Sequence, residues 1–236
     1  MVNKSYFEDY MSFVKKTYPR FYEECYQIYS EKDRKYFKET VDDIYKLFLH
    51  ISILKDISSK DTYFLEETEK IIYSILLLIP TNDLYSINTF FRALSESMLR
   101  LILLNNRNNT NLSRDNIANM SFKNIKKRIL MNSFLFSRKK KFEYLYNLFS
   151  TSSRALHSPG NSIIGHLFLD EQFEEKYNLK QLHSKFQQIN KIFLEVIIPD
   201  IFELTKEDIS LSNSIKIRKS LSPKEFSIYI NYFKKS

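Results

Sequence analysis

The sequence predicts an all-α protein, an up-and-down bundle of about seven to nine helices forming a single domain over residues 1–236. Glycine and proline are scarce, with two Gly and five Pro in the chain, whereas all-β folds need many turns rich in both. Apolar residues recur at helical spacing almost throughout. They make up 43% of the chain and charged residues 27%, a composition that is typical of globular proteins and excludes wholesale disorder.

Apolar spacing predicts four helices in the N-terminal part, and the segment 3–80 is expected to pack against the rest of the chain. Their approximate ranges are residues 6–18, 32–57, 61–79 and 81–105. Asp61 is the expected N-cap of the third helix, and Pro80 ends it. Thr81, Asn82 and Asp83 supply candidate caps for the fourth.

The C-terminal part is predicted to contain two irregular stretches between helices. The irregular stretches are 105–116 and 158–165, and the second contains both glycines. The predicted helices are 121–131, 139–157, 179–204 and a last one after Ser222-Pro223. Pro199 is expected to kink or interrupt the helix that contains it.

The formal net charge of +8 is concentrated in one segment. Between Asn105 and Lys141 the chain has ten basic residues and one acid, Asp115, which leaves the remainder with a net charge of −1. Such a run can be a solvated face, but the lack of compensating acids favours a polyanion partner, most simply RNA or DNA. The residues expected to hold a nucleic-acid backbone are Lys123, Lys126, Lys127, Arg128, Arg138, Lys139, Lys140 and Lys141.

Several classes of protein are excluded or disfavoured by what the sequence lacks. The single cysteine cannot form an internal disulfide, and no Cys/His spacing suits a metal. Phosphate-binding glycine loops, nucleophile elbows and HExxH motifs are absent. The start has no apolar signal region, and the apolar run Ile71–Ile79 is far shorter than the roughly 20 residues of a membrane span. We therefore expect a cytoplasmic protein with no cofactor, no metal and no membrane association.

His157 has the best setting for chemistry among the four histidines. It follows Arg154 by three residues, so the two can share a helix face, with Ser150 and Ser153 on the same side. An imidazole can act as a general base while a guanidinium stabilises charge on a phosphate, a pairing that suits metal-free RNA cleavage. Alternatively, His157 only caps the C-terminus of its helix before Ser158-Pro159.

A second set of charged residues lies at spacings of four in an otherwise apolar helix. Arg92, Glu96 and Arg100 form one stripe there. Embedded charges must be paired or functional, because an unpaired buried charge is costly. The stripe is therefore either an internal ion-pair ladder or a set of groups directed at the site of His157. His166 could join that site, whereas His50 and His183 are expected to be packing or surface residues.

The spacing of Arg92, Glu96 and Arg100, followed by a helix with Tyr146, Phe149, Ser150 and His157, resembles the HEPN superfamily of small helical proteins. The resemblance covers about residues 83–160, and a HEPN-like core would extend over about 83–204. It implies a bundle of four or five helices, often dimeric. Many members are metal-independent ribonucleases of toxin–antitoxin and antiphage systems, and others have lost catalysis. Active members place four to six residues between arginine and histidine, whereas two separate Arg154 from His157.

Two functions from different classes are therefore expected. The leading hypothesis is a bacterial nucleic-acid-directed protein, a ribonuclease of antiphage defence or a toxin, in which His157 is acid or base. Arg92, Arg100 or Arg154 would stabilise the phosphate and Glu96 would orient them. The alternative is a non-catalytic interaction module such as an antitoxin, adaptor or assembly subunit, with a protein partner or a homodimer. A third reading, a DNA-binding regulator, would need a helix-turn-helix ahead of residues 123–134.

Overall fold

The all-helical class is confirmed for the part of the chain that the computed structural model describes: residues 6–108, 112–157, 178–204 and 209–221, with positions 223, 226 and 227. Every regular element in these ranges is helical. The α-helices are α1 (Tyr6–Thr17), α2 (Glu31–Ile57), α3 (Tyr63–Leu78), α4 (Leu84–Asn105), α5 (Arg114–Ala118), α6 (Phe122–Met131), α7 (Ser133–His157), α8 (Leu179–Ile192) and α9 (Leu211–Ser220). Segments Phe21–Tyr26 and Phe193–Ile201 are π-helical, and Ile79–Thr81 is a 3₁₀ turn.

The five long helices alternate in direction. Lys55 of α2 pairs with Glu69 of α3, and Phe48 packs near Tyr73, so these neighbours are antiparallel. The short link between α3 and α4 reverses the chain again. Helix α7 runs antiparallel to α4, and contacts of α8 with successive turns of α2 make those two parallel. The result is an up-down-up-down-up bundle.

One apolar core joins all of these elements. Its buried residues come from every helix from α1 to α9 and from both π-helical segments. Phenylalanine supplies much of its volume, and the fully buried rings are Phe37, Phe64, Phe91, Phe142, Phe186 and Phe193. Phe91 of α4 packs against Phe186 of α8 with 5.5 Å between ring centroids, which ties the last long helix to the middle of the bundle.

Helix starts follow the side-chain caps, with two corrections to the predicted boundaries. Asp83 accepts from the Ser86 backbone N–H at 2.9 Å and caps α4 as expected. Asp61, the predicted cap of α3, precedes the N-cap position Thr62 by one residue, but its carboxylate still accepts from the Tyr63 N–H at 2.8 Å, whereas the Thr62 side chain makes no capping bond. Helix α7 begins at Ser133 rather than at residue 139, because the Asn132 side chain accepts from the Leu135 N–H at 3.0 Å.

Two further elements differ from the prediction. The short helix α5 begins inside the stretch 105–116 that was predicted to be a loop and continues to Ala118, and its N-cap Ser113 accepts from the Asn116 N–H. Helix α9, capped by Ser210, was not predicted. The predicted irregular stretch 158–165, His166 and most of the helix predicted after Ser222-Pro223 lie outside the described residues.

A proline has no backbone N–H, so the carbonyl group one turn earlier in a helix needs another donor. Pro80 has no N–H for the carbonyl of Leu76, and the buried Tyr10 hydroxyl donates to that oxygen at 2.8 Å instead. In the π-helix that contains Pro199, the carbonyl of Glu195 accepts from the Lys141 ammonium at 3.3 Å. The chain widens into a π-helix around Pro199, as the predicted interruption implies. These two bonds hold α1 on α3 and the π-helix on α7.

In the described ranges no helix combines the length and apolar character that crossing a bilayer requires.

Candidate nucleic-acid interface

Glu96 and Arg100 form an ion pair within α4. The Arg100 Nη2 lies 2.9 Å from the Glu96 Oε1 and also donates to the Met120 carbonyl at 3.3 Å. The two side chains are 21% and 17% exposed, so water screens the pair only partly. Arg100 therefore ties α4 to the connection between α5 and α6. This geometry corresponds to an internal ion pair, which was one of the two interpretations of the stripe formed by Arg92, Glu96 and Arg100.

Arg92 does not join this ion pair. Its guanidinium carbon lies 5.1 Å from the centroid of the Phe149 ring on α7, a cation–π contact. No carboxylate in the described ranges lies within ion-pair distance of Arg92. The predicted three-residue ladder is therefore a two-residue pair and a separate arginine that packs on an aromatic ring.

The register of α4 against α7 sets how far these groups are from the end of α7. Phe149 precedes the last residue of α7, His157, by eight positions, which corresponds to about 12 Å along the helix axis. Because the helices are antiparallel, Glu96 and Arg100 lie farther still from that end than Arg92 does. A catalytic site at the end of α7 would therefore need the guanidinium of Arg154. Arg92 could supply one only if its side chain took a different conformation that reached that end.

The end of α7 carries Arg154 and His157, the predicted catalytic pair. Arg154 is exposed and has an interaction partner. The backbone of His157 is the last of the helix, and its side chain lies outside the described residues. One turn earlier, the hydroxyl oxygens of Ser152 and Ser153 are buried and make no hydrogen bond within the described ranges. Convergence of His157 with an arginine stays a prediction.

The exposed side of α6 and the first turns of α7 carry six of the ten cations of the predicted basic segment. Helix α6 buries Ile125 and Ile129 and turns its cations outward. In the described ranges, six cations of this region have no carboxylate within 4.0 Å. We call these residues the basic surface: Lys123, Lys126, Lys127, Arg128, Lys139 and Lys140.

The other four cations of the predicted basic segment have carboxylate partners, and three of them pair with acids distant in sequence. Asp200, in the π-helix, lies 3.0 Å from the Arg138 Nε and 3.2 Å from the Lys141 Nζ. Arg107 lies 3.9 Å from Glu203, and Arg114 lies 3.6 Å from Asp115. The structure therefore divides the ten basic residues into a paired group and the basic surface.

Aromatic contacts hold α6 against α7. The rings of Phe122 and Phe149 stack with 3.5 Å between centroids and an angle of 4° between planes. The Lys126 ammonium lies 5.1 Å from the centroid of the Tyr146 ring. Burial raises the pKa of the Tyr146 hydroxyl well above its usual range, and the Glu143 charge adds to this. The platform that carries the basic surface is therefore packed onto the core through rings.

Three large apolar side chains are exposed where α6 meets α7, a feature that the sequence analysis missed. Leu130 is 40% exposed, Met131 is 70% exposed and Phe136 is 48% exposed. The Lys139 ammonium lies 4.2 Å from the centroid of the Phe136 ring. The sequence shows the helical spacing of these residues, but spacing alone does not show which apolar residues another element covers and which face solvent.

The histidines expected to be structural lie on the α2–α8 side of the bundle. His50 is fully buried and its ring stacks 6.4 Å from that of Phe193. His183 lies between two carboxylates of α2, 3.3 Å from Asp43 and 3.7 Å from Glu39. Both ring nitrogens of His183 face carboxylates, so this cluster joins two helices. No group of side chains in the described ranges could hold a metal ion.

Comparisons of the chain with protein-family models, with curated proteins and with solved structures found no match. The resemblance to the HEPN superfamily therefore stays a prediction, carried by the residues quoted for it.

Proposed function

We propose that this protein binds nucleic acid, RNA first, through the basic surface of α6 and the start of α7. The observation that carries the proposal is the absence, within the described ranges, of any carboxylate within 4.0 Å of these six cations. Four neighbouring cations are paired, so acids reach this region of the chain, yet no acid of the described ranges lies within 4.0 Å of a cation of the basic surface.

Electrostatics explains why such a surface suits a polyanion. Like charges that crowd one face of a protein repel one another, and a phosphate backbone relieves that repulsion. Binding releases the counterions condensed on the nucleic acid, which gives a favourable free energy at low salt. Lysine and arginine bind phosphates irrespective of sequence, so this contact gives affinity rather than base specificity.

The test compares two triple charge reversals of equal net charge. One variant carries Lys123→Glu, Lys127→Glu and Arg128→Glu on the basic surface. The matched control carries Lys16→Glu, Lys32→Glu and Lys216→Glu, all exposed lysines on other helices. Fluorescence anisotropy with labelled RNA should show a loss of affinity of more than about tenfold for the first variant and little change for the second. Equal losses, or no binding by the wild type, would refute the proposal.

Cleavage of the bound RNA is the further part of this proposal, and it depends on the HEPN resemblance. His157, as base, would remove the proton of a ribose 2′-hydroxyl, whose oxygen would attack the adjacent phosphorus. The bond from phosphorus to the 5′-oxygen would break, and that oxygen would take up a proton. The products would be a 2′,3′-cyclic phosphate and a free 5′-hydroxyl. Such an activity would suit a toxin or an antiphage protein.

Incubation of total RNA with purified protein in EDTA tests cleavage separately from binding. We expect fragments with the wild type and intact RNA with His157→Ala, while both proteins bind RNA equally and unfold at similar temperatures. A fully active His157→Ala variant would remove His157 from the mechanism.

A non-catalytic interaction module is the second candidate, and the Glu96–Arg100 pair favours it. That pair gives two of the predicted catalytic residues a structural role within the bundle. A protein that binds RNA and leaves it intact would support this candidate, and light scattering would test the proposed homodimer.

A further inference from the structure

We infer that the basic surface takes single-stranded rather than duplex nucleic acid, with Phe136 as a platform on which a base stacks. This inference rests on the proposed function and specifies its substrate class. It is carried by the position of an exposed aromatic ring at the corner of α6 and α7, among cations that have no ion-pair partner in the described part of the chain.

The local geometry holds Phe136 in a defined place. Its backbone N–H donates to the Asn132 carbonyl at 2.8 Å, so it lies in the first turn of α7, just after the link to α6. The ring is 48% exposed although α7 buries the adjacent Leu135 completely. Lys139 lies over the ring, and Lys140 follows Phe136 by four residues on the same exposed stripe.

The contact with Lys139 suits the ring for stacking. The ammonium is 4.2 Å from the ring centroid and so covers a ring face, which restricts the side chain. The exposed remainder of the ring is free to meet the flat face of a base, while Lys139 and Lys140 are placed to meet the flanking phosphates. Cations combined with an aromatic platform are the usual means by which proteins bind single strands without sequence preference.

Duplex nucleic acid cannot use this ring in the same way. Its bases are stacked on each other, and the protein reaches phosphates, sugars and base edges instead. A surface that binds only duplex backbone has no need of exposed apolar groups, yet Met131 and Leu130 are exposed beside the same cations. Single exposed apolar residues are ordinary, but here three of them lie within seven positions and beside six cations without an ion-pair partner in the described ranges.

An anionic membrane surface is the competing partner for a patch that is both basic and apolar. Membrane-surface helices bury a continuous apolar face in the lipid. Helix α6 instead directs Ile125 and Ile129 into the protein core, which leaves only its C-terminal corner for lipid. The observations therefore favour a single-stranded nucleic acid, and lipid binding is an outcome of the test.

The experiment measures the affinities of full-length protein for a labelled single-stranded oligouridine and for an RNA duplex of equal length. The variants are Phe136→Ala, Phe136→Tyr and the control Tyr85→Ala, whose ring is 65% exposed on α4. We expect Phe136→Ala to weaken single-strand binding about tenfold, or about 1.4 kcal/mol. Binding of the duplex should not change, Phe136→Tyr should keep most of the affinity, and Tyr85→Ala should resemble the wild type.

The outcomes distinguish the inference from the proposed function. If duplex binds as tightly as single strand and Phe136→Ala changes neither, while the charge reversal on the basic surface still weakens both, the inference fails and the proposed function stands. If the wild type binds no nucleic acid, the proposed function fails and the inference with it. Vesicles of phosphatidylglycerol that bind the wild type but not Phe136→Ala, with no RNA binding, would identify a lipid surface and overturn both.

Discussion

The Glu96–Arg100 pair offers a direct test of whether these residues are structural. A double-mutant cycle with Glu96→Gln and Arg100→Met would measure their coupling in the free energy of unfolding. Exposed pairs at this helical spacing contribute about 0.3–0.5 kcal/mol, and breaking a fully buried pair costs about 3–5 kcal/mol. The two side chains are about one-fifth exposed and their atoms are 2.9 Å apart. We therefore expect a coupling of about 1–2 kcal/mol.

Urea denaturation followed by circular dichroism measures all four proteins of the cycle under the same conditions. Glu96→Gln alone should destabilise more than Arg100→Met alone, because it leaves a largely buried guanidinium whose remaining partner is the Met120 carbonyl. A coupling below about 0.5 kcal/mol would refute the structural role. In that case these residues would again be candidates for chemistry, and RNA cleavage by the same variants would be the next measurement.

Three further predictions concern the whole chain. If the six cations of the basic surface bind single-stranded RNA, the logarithm of affinity should fall with the logarithm of salt concentration with a slope of about −4. This slope is a loss of about 300-fold for a fourfold rise in salt. A slope near −7 would mean that the four paired cations also bind phosphates. Tyr10→Phe should lower the free energy of unfolding by about 1–3 kcal/mol, since the Leu76 carbonyl, deprived of a donor by Pro80, loses its bond from Tyr10; urea denaturation that matches the wild type would contradict this. Desolvation lowers the pKa of Lys185 from 10.5, so the folded state releases this proton before the unfolded state does, and stability should rise with pH between the lowered value and 10.5. Lys185→Met should lack that rise when denaturation is compared from pH 8 upward, and identical pH profiles for the two proteins would show that the side chain is not desolvated.

Helix ends show where local sequence was sufficient. The end of α3 at Pro80 and the start of α4 at Asp83 were predictable from nearby residues, because a helix terminator and an N-cap act within a few positions of the chain. The start of α7 was placed six residues too late, because the basic run 138–141 hides the buried pair Phe134 and Leu135. Those two residues are buried by other parts of the bundle, which a local pattern does not contain. The π-helical segment Phe21–Tyr26 was not predicted from the local sequence pattern for the same reason.

The predicted site was separated by tertiary packing. Arg92, Glu96 and Arg100 share a stripe at the level of sequence, yet Arg92 packs on Phe149 and the other two pair with each other. Which of these occurs depends on the register between α4 and α7. That register depends on contacts between helices 28 or more residues apart in the chain, such as Arg92 on Phe149, and helical periodicity contains no information about it.

The sequence by itself determined the helical class and the concentration of positive charge, because both follow from composition and from spacing within single helices. Only the tertiary structure decided which cations are free. Asp200 and Glu203 approach Arg107, Arg138 and Lys141 across the bundle, and a Coulomb interaction depends on distance in space rather than along the chain. The exposure of Phe136 was decided in the same way. Burial of an apolar ring requires another element to cover it, and the structure shows half of this ring uncovered.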